Sequence, residues 1–170
     1  MMSVRDALRR SRTYSESASE KRKDQFRDAL RGKLDEIASE YASPVEEKKH
    51  ITNIVNLADN LTPRFSDCLR EGRFRIGIAQ KALNLYLKYL WCIGLISLPP
   101  HCPFDSIVIS HIPECSNLNW TSIDNIADYQ RLVTAAHKIA ESKTLSEWEL
   151  ETWGKPSSHL ESVLIHKILE

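Results

Sequence analysis

Apolar residues return every three or four positions along most of this chain, and nowhere do they alternate long enough for a sheet. That period belongs to the helix, where such positions share one face. Five glycines and seven prolines in 170 residues supply little material for the many tight turns of an all-β chain. The expectation is an all-α fold, with a single compact helical domain over 16–170 behind a frayed N-terminus at 1–15. A chain of this length can bury a core without disulfide or metal staples.

The elements read in order. Phe26, Leu30, Leu34, Ile37 and Tyr41 predict a helix over 19–41. Ser43-Pro44 reads as an N-cap with proline at the first helical position, opening a helix to about Asn60. Thr62-Pro63 reads the same way and opens another, ended by Gly72. Residues 78–93 form the most apolar helix, broken at Gly94. Pro99, Pro100 and Pro103 stiffen the next loop. Phe104–Ile112 is a short apolar run, helix or strand. An amphipathic helix spans Thr121–Ser142, Thr144 caps Leu145–Trp153 before Gly154-Lys155-Pro156, and Ser158–Leu169 is the last helix.

Lys+Arg and Asp+Glu both total 23, so the formal charge is zero and a uniformly basic coat is excluded. The charge is nonetheless segregated: residues 1–33 carry a net +5, 34–63 a net −4, 64–90 a net +4 and 105–170 a net −5. Two basic segments can line one surface and face a polyanion; equally, they can be solvated helix faces. Arg5, Asp6, Arg9 and Arg10 stand where a signal peptide would be apolar, and Tyr89–Pro100 is too short to span a bilayer. A cytoplasmic monomer with free thiols is expected. Cys68, Cys92, Cys102 and Cys115 include no C-x-x-C, and His101, Cys102, His111 and Cys115 have no zinc-site spacing, so neither metal nor cofactor is expected.

The chemistry concentrates between Gly72 and Asp105. On the 78–90 helix Gln80, Asn84 and Lys88 lie at i, i+4 and i+8 with Lys81 beside them. Gly77 in the first turn leaves amides accessible to an anion, and Arg73 and Arg75 precede it, so a phosphate clamp is one reading. Asp105 follows Pro103 at the end of a rigid loop. A desolvated lysine becomes a nucleophile, and a nearby carboxylate stabilises a cation or orients water. A plain Lys81–Asp105 salt bridge is the simpler reading.

G-I-A-Q-K at 77–81, the helix after it and C-P-F-D at 102–105 resemble the helix-hairpin-helix DNA glycosylase superfamily, nearest to 8-oxoguanine DNA glycosylases of the compact archaeal type. RFRIG stands where that family has L-P-G-V-G. The resemblance implies a helix-hairpin-helix-like element before the catalytic helix, with Lys81 and Asp105 as the catalytic pair. It implies excision of a flipped base from double-stranded DNA, with or without lyase activity. The base would be an oxidised purine, or a hypermodified pyrimidine such as glucosylated hydroxymethylcytosine in a phage-defence role. Gln80, Asn84, His101, Trp148, Glu149 and Trp153 would contact it, Glu149 and Trp153 having the family's spacing of four. Arg73, Arg75, Gly77 and Lys88 would hold the DNA backbone. The alternative is a non-catalytic helical module that binds nucleic acid or protein.

Overall fold

The computed structural model describes residues 4–153, and the expected stop at 154–156 and helix at 158–169 lie outside the described residues. The fold is all-α. Among the described residues seven α-helices run in order: α1 (Val4–Ala7), α2 (Glu20–Ala38), α3 (Glu47–Phe65), α4 (Ile76–Cys92), α5 (Ser106–Ser110), α6 (Ile126–Ala140) and α7 (Leu145–Trp153). Short 3-10 turns join several of them.

Helix α4 is the axis of the fold. It packs against α1, α2, α3, α6 and the 3-10 turn Trp120–Ser122. Its first three turns are buried on nearly every side, as expected of a helix with little polar surface. Around it α2 supplies Phe26, Leu30 and Leu34, α3 supplies Ile54, Leu57, Leu61 and Phe65, and α6 supplies Tyr129, Leu132 and Val133. Phe26 meets Phe65 and Phe74 edge-on, with ring centroids 5.4 and 5.2 Å apart.

Local capping explains several boundaries. Ser19 Oγ accepts the Arg22 amide at the start of α2, Asn125 Oδ1 that of Asp128 at the start of α6. Thr144 and Glu147 exchange bonds ahead of α7: Glu147 N donates to Thr144 Oγ1 at 3.3 Å and Thr144 N to Glu147 Oε2 at 3.2 Å. This is a capping box.

Three expectations are corrected. Thr62-Pro63 starts no helix, because α3 runs through Pro63. Thr62 Oγ1 instead accepts the Phe74 amide at 3.1 Å. The buried stripe Ile54, Leu57, Leu61, Phe65 continues across the proline, so burial outweighs one lost ladder bond. Ser43 is likewise not a helix cap; α3 begins at Glu47. The N-terminal segment, from Val4 on, is docked rather than frayed. Val4, Ala7 and Leu8 enter the core, Ser15 N donates to Cys68 O, and Arg70 N donates to Thr13 O.

Candidate active site

Gln80 sits in the second turn of α4, wholly buried. Its amide acts as a two-way clip on the loop before α5. Nε2 donates to Phe104 O at 2.7 Å, while Oε1 accepts Phe104 N at 3.2 Å. Asn84, one turn on, donates to Cys102 O at 2.9 Å and to Gln80 Oε1 at 3.1 Å. The two amides thus pin residues 102–104 along α4. Asp105 follows directly and caps α5, its Oδ1 accepting Ile107 N at 2.9 Å and Val108 N at 3.2 Å. Lys81 follows Gln80. Each member of the pair is therefore one residue beyond the same clip.

The result is a cleft of about 430 Å³ lined by Lys81, Asp105, Ser106, Asn119, Trp120 and three arginines, Arg9, Arg10 and Arg12. Lys81 is 8% exposed. Its Nζ lies 4.3 Å from the centroid of the Trp120 ring and 3.5 Å from Arg9 O. Burial is the main force pushing its pKa down, and Arg10 adds to it; Asp105 pulls the other way. Lys81 and Asp105 form no ion pair, so the carboxylate acts across the cleft.

The arginines are placed by an unusual backbone. Arg10 and Arg12 have φ of 63° and 51°, the left-handed region that costs a residue with a Cβ. Between them Ser11 is buried, its Oγ donating to Leu8 O at 2.6 Å and bonded to Thr13 Oγ1. Buried bonds hold a strained turn that brings Arg9, Arg10 and Arg12 to the cleft. Strain of this kind clusters at functional sites.

The other expected site residues lie elsewhere. Gln80, Asn84 and His101 are 0% exposed. They hold the loop and do not face a substrate. Gly77 offers no anion site: its amide donates to Ile123 O at 2.9 Å, and a Cβ there would lie 1.8 Å from Trp120 O. The glycine is needed because another backbone crosses there. Arg75 pairs with Glu71 and donates to Thr121 O at 3.4 Å. Arg73 pairs with Asp124 at 3.1 Å. Lys88 and Glu149 pair with each other. Trp148 packs in the core, and the Trp153 side chain lies outside the described residues. None of the described ones lines the cleft. Arg9, Arg10, Arg12 and Trp120 do, and sequence reasoning missed them. The net charge of residues 1–33 was the available signal.

Behind the clip lie two tyrosine–histidine pairs. Tyr41 OH and His50 Nδ1 are 2.7 Å apart, as are Tyr129 OH and His101 Nδ1. Burial lowers the pKa of both histidines. The unfolded chain then binds more protons, so acid favours unfolding once pH falls below about 6.5, the ordinary histidine value. Each histidine steepens the loss by up to about 1.4 kcal/mol per pH unit until its folded-state value is reached. Urea midpoints at pH 7 and 5.5 check this: the midpoint should drop in the native chain, and drop less in His50→Gln.

Among the described residues no helix is long and apolar enough to cross a membrane. The chain matches no family model, no curated protein and no solved structure.

Proposed function

We propose that the cleft is the active site of a DNA glycosylase that excises a modified base flipped out of the duplex. The observation that supports it most is a buried, deprotonation-prone lysine sharing a polar cleft with a fixed carboxylate under three arginines. Burial readies Lys81 Nζ as a nucleophile at sugar C1′. Asp105 stabilises the positive charge that grows on the sugar as the glycosidic bond breaks. The base leaves with the bonding electrons and takes a proton, while the C1′–Nζ bond forms with loss of protons from the amine. Ring opening, with an amine proton passing to O4′, gives a Schiff base, from which loss of a C2′ proton and departure of the 3′ phosphate nick the strand. Arg9, Arg10 and Arg12 hold the phosphates flanking the flipped nucleotide.

The test is release of free base, read by mass spectrometry. Duplexes carry 8-oxoguanine, uracil, alkylated bases or glucosylated hydroxymethylcytosine. Release from one of them, lost in Asp105→Asn, supports the reading and names the base; glucosylated hydroxymethylcytosine would place the protein in defence against phage. No release from any duplex, with DNA binding unchanged in Lys81→Gln and Asp105→Asn, overturns it in favour of a binding module.

The arginines carry a separate prediction. In Arg9→Gln, Arg10→Asn and Arg12→Asn duplex affinity should fall, and each lost phosphate contact should reduce the slope of log K against log salt by about 1. Asparagine tolerates the left-handed backbone at positions 10 and 12. Titrations at several salt concentrations measure it; an unchanged slope removes the arginines from the DNA interface.

A further inference from the structure

Outside the cleft, a cluster of side chains among the described residues has the make-up of a metal site. Glu47 opens α3, His101 precedes the clipped loop and His137 lies in the last turn of α6. They are far apart in sequence, so no motif spacing reveals them. Glu47 Oε1 is 3.0 Å from His101 Nε2 and 3.3 Å from His137 Nε2. One ligand atom from each residue lies within 4.8 Å of the others.

We propose that Glu47, His101 and His137 bind a divalent first-row transition metal, zinc foremost, with water in the remaining position. Two imidazoles and one carboxylate form a known donor set for such ions. Tetrahedral coordination with bonds of about 2.0–2.1 Å separates neighbouring ligand atoms by about 3.3 Å. The two nitrogen–carboxylate separations are already close to that. The third edge closes by movement of His137, whose side chain is 45% exposed.

Support comes from the shell behind the ligands. His101 is fully buried and its Nδ1 is held by Tyr129 OH. That contact fixes the ring and directs Nε2 at Glu47, the second-shell device that orients metal-binding histidines. Metal on Nε2 requires the proton on Nδ1, where the tyrosine oxygen can accept it. Without metal the three groups satisfy one another as hydrogen bonds. With metal the same groups become a cross-link of α3, α6 and the loop that carries Asp105.

This inference stands apart from the excision chemistry and departs from the sequence expectation of no metal. The test uses the whole chain, stripped with chelator and titrated with zinc chloride, and separately with cobalt chloride. Zinc should bind one to one and raise Tm. Cobalt should give visible d–d bands of low coordination number. Affinity should fall at least about tenfold in His137→Ala and in Glu47→Gln, and stay unchanged in Cys92→Ser, since Cys92 is the exposed thiol. His137 is exposed enough that its loss leaves the fold intact, which thermal melts without metal verify. Absence of stoichiometric binding, equal affinity in His137→Ala, or loss of binding with Cys92→Ser overturns the site.

Discussion

Lys81→Gln should abolish borohydride trapping of a protein–DNA adduct and yet raise Tm. An ammonium offers three donors. Lys81 Nζ donates a long hydrogen bond, 3.5 Å to Arg9 O, and its contact with Trp120 is a cation–π contact. Such a group is costly to bury. A neutral side chain of similar length removes that cost along with the nucleophile. Loss of activity with gain of stability marks a site selected for function. A lysine kept for structure would do the reverse, so melting curves and trapping gels on one variant separate the two. Asp105→Asn retains a good helix cap, so α5 should persist. Its single-turnover excision should fall by roughly 10²–10⁴-fold, the usual weight of a group acting on the reacting atoms. In the native chain the rate should climb with pH as Lys81 loses its proton, levelling off below about 10.4, the ordinary lysine value, because burial lowers its pKa.

The second large effect is on the fold. Gly77→Ala sets a Cβ 1.8 Å from Trp120 O and 3.1 Å from Ile123 Cβ. The first obstacle is backbone, which cannot rotate away. The Gly77 amide is also bonded to Ile123 O, so α4 and the 120–123 segment cannot separate without losing that bond. Overpacking against backbone costs about 1–3 kcal/mol or more, which outweighs the roughly 0.5–1 kcal/mol that alanine gains in a helix. Gly32 in α2 is the matched control: a Cβ there meets nothing within 4 Å. Gly32→Ala should therefore stabilise by about 0.5–1 kcal/mol. Urea denaturation of the two variants should move the midpoint in opposite directions. A shift of the same sign in both would contradict the packing described at Gly77.

What could be read in advance was what neighbours decide. Helix α7 starts where Thr144 predicts, because a capping box is made within four residues. The stripe of Gln80, Asn84 and Lys88 was legible as polar. Its direction was not, since whether a stripe faces water or the core depends on what packs there. Pro63 looked like a start because proline favours first turns; only the buried stripe across it, ending at Phe65, shows that α3 continues. The approach of Lys81 and Asp105 was foreseeable from a rigid loop returning to its helix. Arg9, Arg10 and Arg12 were not, because the docking of 4–15 relies on partners such as Cys68 and Arg70 more than fifty residues away. The grouping of Glu47, His101 and His137 is long-range for the same reason.

The Gln80 clip has a consequence for how this protein can vary. Because it ties α4 to Phe104 directly, the spacing of Lys81 and Asp105 does not depend on the route the chain takes between Cys92 and His101. That excursion turns at Gly94, whose φ is 74°, and exposes 66% of Leu95. Insertions at its tip would leave the pair in register. The chain can thus gain a recognition loop or a fused module at residues 94–95 while its reactive centre keeps its dimensions.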